Sequence, residues 1–252
     1  MPVVNRFLPC GSYQQTILSR DGVSTQTARL DYNCVQSRNR EDDTMALSRE
    51  QFESGMSTQE YMDQIKVNKD PFVEIYNAVD LPSDATEWVN GLSNPVNLAV
   101  FTADWCGDAV STTPVILRLA DSTPNLNLQV FNRDDDVPLA DTFLPEHRAG
   151  TVPIFVALDG DMNEIARFIE TANGLVPQID DMDDAINRDT EGLEEAAQRQ
   201  ARRGRRMAHR VSHAQDWAEV ILQEFRDVVD AGLQLSASDR PAVGGTKWPP
   251  ED

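Results

Sequence analysis

The chain has 252 residues, 40% of them hydrophobic, and a formal net charge of −20 from 42 acidic and 22 basic residues. That length and apolar fraction suit one domain with extensions, or two small domains, built on a real core. The acidity argues against a general nucleic-acid or anionic-membrane binder, and no apolar run approaches the roughly 18 residues of a membrane span.

Of the basic residues only Lys66, Lys69 and Lys247 are lysine. An acidic, lysine-poor surface resembles that of halophilic proteins, where salt screens self-repulsion. The alternative use of such a field is to steer cationic partners. Arg6 is not followed by a long apolar stretch, so no secretory signal is expected and the default location is cytoplasmic. Cys10, Cys34 and Cys106 are too few and too scattered for a disulfide framework and form no zinc pattern. No cofactor is implied. An odd thiol in a reducing compartment is either a buried small residue or a reactive group.

Residues 1–44 carry five basic and five acidic side chains, so the whole charge of −20 lies in 45–252. This segment is rich in Ser, Gln and Asn without sustained periodicity, and reads as a flexible extension. Met45 opens a helical pattern and is a candidate natural start; native N-terminal sequencing checks it. Residues 48–68 read as helical, with Ser57-Thr58-Gln59-Glu60 at capping-box spacing. A further helix is expected from Pro71 to Asp80. Ser83 or Asp84 can cap a short one running through Trp88 to Leu92.

A different rhythm begins at Pro95. Val96 to Ala103 is almost continuously apolar, the pattern of a strand buried on both faces. Thr112, Val115, Ile116, Leu119 and Ala120 share one helical face. Leu126, Leu128 and Val130 alternate with polar residues as in a half-buried strand. A short helix over 137–143 and a strand over Ile154–Leu158 follow. Asp159-Gly160-Asp161 supplies turn chemistry for a hairpin to Ile165–Ile169. The predicted order is β-α-β-α-β-β, with a parallel helix-linked pair and an antiparallel last pair. Trp217, Val220, Ile221, Phe225, Val228, Val229 and Leu233 form an apolar stripe on a C-terminal helix. Residues 236–252, with Gly244-Gly245 and Pro249-Pro250, read as a disordered tail.

Cys106 falls where a buried strand meets a helix N-terminus. Free backbone N–H groups and the helix dipole favour a thiolate there, the form that attacks disulfides. Trp105 is placed to cover the sulfur, and Gly107 to permit a tight turn.

The run Asp104-Trp105-Cys106-Gly107-Asp108-Ala109 resembles the W-C-G-x-C signature of the thioredoxin superfamily, nearest a branch of small prokaryotic proteins with W-C-G-D-C. Pro114 matches the helix-kinking proline of that superfamily, and Thr151-Val152-Pro153 its cis-proline loop. The resemblance covers about 95–170 within a domain of 45–235. It implies an α/β thioredoxin-like fold, a central mixed sheet flanked by helices, with extra helices at both ends. It also implies a catalytic Cys106 and a groove of Trp105, Gly107, Asp108, Val152 and Pro153. That groove offers backbone groups to an extended segment.

Two departures stand out. Ala109 occupies the position of the resolving cysteine, whose attack releases a mixed disulfide. Val100 occupies the position of a buried proton-transfer aspartate. Asp104 and Asp108 flank Cys106 and oppose its ionisation, and the local sequence supplies no Lys or Arg to offset them.

Two functions stay open. One is a monothiol oxidoreductase, in which Cys106 forms a mixed disulfide with a protein or small thiol and an external thiol resolves it. The other is a redox-inactive module whose groove binds a peptide. Peroxide reduction would call for a cationic partner of the thiol. No nucleic-acid or membrane partner is expected, and the sequence sets no oligomeric state.

Three further features have weaker readings. His209 and His213 are spaced to meet one metal, but no third ligand is evident, and a solvated helix face explains them. The arginines between 199 and 210 are read as internal partners of the acidic residues between 180 and 195. Asp134-Asp135-Asp136 reads as a turn capping the next helix.

Overall fold

The computed structural model describes residues 4–8, 12–19, 22–29 and 47–247. Two compact units divide the chain, Met1–Met45 and Ala46–Asp252. In the first, β1 (Val4–Leu8), β2 (Ser12–Ser19) and β3 (Gly22–Arg29) form an antiparallel sheet in that order. Regular strands were not expected in 1–44. Thr16, Ile17, Val23, Thr25 and Thr27 are β-branched and favour extended backbone, but the segment lacks the apolar alternation that announces a strand.

The second unit opens with two short helices, α1 (Arg49–Glu53) and α2 (Thr58–Gln64), the second starting at the Ser57 capping box. The break has a packing cause. A Cβ on Gly55 would lie 2.7 Å from Gln129 Cβ. Met56 then exchanges backbone hydrogen bonds of 2.8 Å with Val130. Ser57 makes the expected capping box with Glu60. Helix α3 spans Lys69–Ala78 and α4 Ser83–Asn90. Ser83 is the first helical residue of α4; Pro82 holds the N-cap position, so neither Ser83 nor Asp84 caps it as expected.

The core follows as β4 (Val96–Thr102), α5 (Gly107–Ala120), β5 (Leu126–Asn132), α6 (Val137–Asp141), β6 (Ile154–Leu158) and β7 (Glu164–Ile169). This is the predicted β-α-β-α-β-β order. Strands β4 and β5 are parallel, while β6 pairs antiparallel with both β4 and β7. Every residue of β4 is buried because helices cover both sheet faces. Leu98 and Val100 join the larger core, with α2, α3, α5, α7 (Val176–Asp189) and α9 (Ala214–Gln234). Ala99 and Phe101 join a smaller one with Phe52 of α1 and Ala140 of α6. Phe225 of α9 meets the rings of Trp88, Phe155 and Phe168 at 6.0 to 6.4 Å. Helix α8 (Glu195–Ser212) lies between α7 and α9 in sequence.

The expected loose tail is corrected as far as Lys247. Strand β8 (Ala242–Gly245) pairs parallel with β7 and completes a five-stranded sheet in the order β5-β4-β6-β7-β8. Its glycines are there for close approach rather than for looseness. A Cβ on Gly244 would stand 2.1 Å from Val228, and one on Gly245 2.1 Å from the Ile169 carbonyl oxygen. The Pro249-Pro250 part of that expectation lies outside the described residues. Among the described residues no helix is long and apolar enough to cross a membrane.

Candidate functional site

Cys106 is the N-cap of α5, in extended conformation, and Gly107 is the first helical residue. The chain therefore turns at the cysteine. Gly107 adopts no left-handed angle, and what it provides is space, because a Cβ there would sit 3.1 Å from Arg210 Nη2. The Cys106 thiol donates to the Val152 carbonyl oxygen, with Sγ at 3.3 Å. The Val152–Pro153 peptide is cis. The loop after β4 and the loop before β6 thus face each other across the thiol. Trp105 is 49% exposed, and its Nε1 donates to Asp134 at 2.8 Å. Ala109 is buried, so it offers no group to a bound partner. Val100 is buried in the larger core.

Burial pushes the Cys106 thiol up to about 11, and the Asp108 charge adds to the effect. The backbone N–H groups of Ala109 and Asp108 pull the other way, and Glu170 contributes a smaller upward push. The helix N-terminus is present as expected, but desolvation outweighs it. Asp104 has a different job. Its carboxylate accepts from the Lys66 and Val67 N–H groups at 2.8 and 2.9 Å, tying the loop to the α2–α3 junction.

Three residues at the site were missed in the sequence. Glu170 follows β7 with φ of 72°, a left-handed conformation costly for a residue with a side chain. Its N–H donates to the Pro153 carbonyl oxygen at 2.7 Å, and its carboxylate accepts from buried Arg148 at 2.7 Å. Burial raises its pKa, Asp108 raises it further, and Arg148 opposes both. Arg148 also donates to the Thr246 carbonyl oxygen just beyond β8. The third is Arg210, whose Nη2 donates to Asp108 at 2.7 Å. It was visible as part of the basic run, but nothing in the spacing connects it to position 108. Beside the thiol loop lies a cavity of about 750 Å³, whose walls include Asp108, Arg148, Thr151, Glu170, Asp180 and Lys247.

Two arginines of α8 meet the acids expected of them, Arg206 with Asp183 at 2.6 Å and Arg199 with Glu195; Arg205 instead pairs with Asp189 at 2.9 Å, and Arg202 and Arg203 bond Thr190 and Asn68. The His209 and His213 rings stack at 3.9 Å, and His213 Nδ1 lies 2.9 Å from the His209 carbonyl oxygen. Among the described residues no group of three or more His, Cys, Asp or Glu is placed to hold a metal. Asp136 caps α6 through the Leu139 N–H at 3.0 Å, while Asp134 holds Trp105. Cys10 and Cys34 lie outside the described residues.

The raised pKa has a measurable consequence. The folded thiol keeps its proton to about 11, whereas an unfolded cysteine loses it near 8.5. Stability from this group is therefore complete below about pH 8.5 and is lost as pH rises towards the folded value. Thermal melts in a Cys10→Ser/Cys34→Ser background check this. The stability of that protein minus its Cys106→Ser derivative should fall by about 3 kcal/mol between roughly pH 8 and 11. A difference that stays flat means the thiol is solvated like a free cysteine.

The mixed sheet, the helices on both faces and the cysteine at the head of α5 define a thioredoxin-like protein with one thiol in the signature loop. A family model described as Thioredoxin matches residues 55–183, and the chain belongs to that family. No protein of curated function matches it. Among solved structures, a protein of unknown function from Pseudomonas aeruginosa is 18% identical over 70% of this chain and 98% of that one, with a TM-score of 0.47. An HIV epitope-scaffold is 16% identical over 69% of this chain and 97% of its own, with a TM-score of 0.42.

Proposed function

We propose that the chain is a single-thiol thioredoxin-type oxidoreductase. An extended partner segment lies along the Val152–Pro153 loop, against Trp105, Gly107 and Asp108. Its disulfide is attacked by the Cys106 thiolate. The bond from Cys106 to one partner sulfur forms as the partner's S–S bond breaks, and the other partner sulfur leaves as thiolate. A small external thiol then attacks the mixed disulfide, freeing Cys106 and leaving with the partner sulfur. Cys106 is neither oxidised nor reduced over the cycle. The single observation that supports this reading is the thiol at the head of α5 within 3.3 Å of the carbonyl that precedes Pro153. Its resting state is the protonated thiol, with a midpoint of about 11, so on the order of one molecule in ten thousand is ionised at neutral pH.

The same midpoint favours a second reading, in which the groove binds its segment and no covalent step follows. Incubation with a disulfide-bearing peptide near pH 9, followed by intact-mass analysis, separates the two. The oxidoreductase gives one peptide adduct that is absent in Cys106→Ser and is released by a small thiol. Binding of the peptide without an adduct in either protein leaves the binding module as the function. The W-C-G-D-C branch is the proposed placement within the family, and a cytoplasmic, salt-adapted setting is the proposed reading of the charge.

A further inference from the structure

The Arg210 guanidinium lies across the first turn of α5. It is bonded to Asp108 at 2.7 Å, with 5% of its side chain exposed against 25% for Asp108. It is close enough to Gly107 that a Cβ there would meet Cζ at 3.2 Å. Trp217 stands 5.9 Å below it, and Met182 Sδ is 4.0 Å from Nη1. Its Nε is buried with no hydrogen-bond partner among the described residues. A guanidinium taken out of water with one carboxylate and an unsatisfied N–H is expensive to keep. The neighbouring Arg205 and Arg206 meet their acids at the surface without that cost.

We propose that Arg210 is a positioning residue for Cys106: it fixes Asp108 and offsets part of its charge, so that the carboxylate beside the thiol suppresses thiolate formation less than it would alone. Its purpose rests on the single-thiol reading above, but its measurement does not. The charged and titratable groups around the thiol come from several elements. They are Asp108 on α5, Glu170 after β7 with its partner Arg148, Tyr61 on α2, Asp104 in the loop before Cys106, and Arg210 on α8. Asp180, His147 and Lys247 line the adjoining cavity. Of these, Asp108 is the charge with the largest effect on Cys106, and Arg210 is bonded to it. Gly107 of the signature loop is the residue whose missing side chain makes room for this clamp.

The test is the alkylation of Cys106 by iodoacetamide, a neutral reagent, from pH 7 to 11.5 in the Cys10→Ser/Cys34→Ser background. Arg210→Met should slow the reaction about tenfold at pH 8 to 9, as a midpoint about one unit higher requires. Arg210→Lys, which keeps the charge, should stay within about threefold of the parent. Asp108→Asn/Arg210→Met should react at least as fast as the parent, because the charge that Arg210 offsets has gone. An unchanged rate in Arg210→Met, or a double variant as slow as Arg210→Met, overturns the proposal. Should Arg210→Met fail to fold, Asp108→Asn compared with the double variant reads the same coupling. A change below about threefold between those two supports action through Asp108, and a tenfold slowing overturns it. If alkylation follows the prediction while no mixed disulfide forms, the oxidoreductase reading fails and the clamp stands.

Discussion

Ala109→Cys should raise the reduction of a protein disulfide, followed as insulin precipitation in dithiothreitol, at least tenfold above the natural chain. Position 109 lies in the first turn of α5, and its N–H acts on the Cys106 sulfur. A thiol introduced there is one helical turn from the mixed disulfide and replaces a bimolecular release with an intramolecular one. Ala109 is 1% exposed, so the added sulfur enters a packed site and costs roughly 1 kcal/mol or more of stability. Cys106→Ser/Ala109→Cys is the control and should show no gain. If Ala109→Cys reduces insulin no faster while Cys106 still reacts with iodoacetamide, the attack by a largely protonated thiol limits the reaction. The absent resolver would then not be what separates this chain from a dithiol enzyme.

Gly232→Ala should be strongly destabilising. Gly232 lies near the end of α9, where a Cβ would stand 2.1 Å from the Ile165 carbonyl oxygen and 2.8 Å from its carbon. Both partners are backbone of β7, so no rotamer change can relieve the clash. The helix must lift from the sheet, and the loss should reach about 3 kcal/mol, a drop in Tm on the order of 10 °C for a unit of this size. Gly204→Ala is the matched contrast. Gly204 is inside α8, with nothing within 4 Å of its would-be Cβ. Alanine there should stabilise by about 0.5 to 1 kcal/mol through helix propensity alone. Thermal melts of the two variants decide the matter. A loss below about 1 kcal/mol for Gly232→Ala means that α9 and β7 are less closely fitted than their backbones indicate.

The comparison of these two glycines also shows what was legible in the sequence. Periodicity reports which way side chains point, so β4, α5, β6, β7 and the stripe on α9 were readable from the residues alone. Cys106 was readable from its place between a buried strand and a helix N-terminus, and Pro153 from the resemblance to the cis-proline loop of the thioredoxin superfamily. Close backbone approach leaves no such trace. The Ser57 capping box announces a new helix start, but nothing in the residues announces that Gly55 packs against Gln129 or that Met56 bonds with β5. Gly244-Gly245 reads as flexibility, yet both residues are fitted against neighbours.

The electrostatics of the site were half legible for a similar reason. Asp108 adjoins Cys106 in sequence, so its opposition to the thiolate could be anticipated. Arg210 is distant in sequence and Glu170 stands in a left-handed conformation that no residue pattern announces. Their meeting at the thiol is a product of the tertiary fold. Asp104 shows the converse error: it is adjacent in sequence, but its carboxylate serves backbone donors at another junction.

Strand β8 has a consequence for how the protein avoids its own kind. Strand β7 is an apolar segment, buried at Ile165, Ala166, Phe168 and Ile169. Without a neighbour on its outer side it would present free N–H and C=O groups beside those residues, a template for strand addition from another molecule. The covering segment is only four residues long and contains two glycines. Protection against self-association in this acidic protein thus rests on a short strap over β7 as well as on charge.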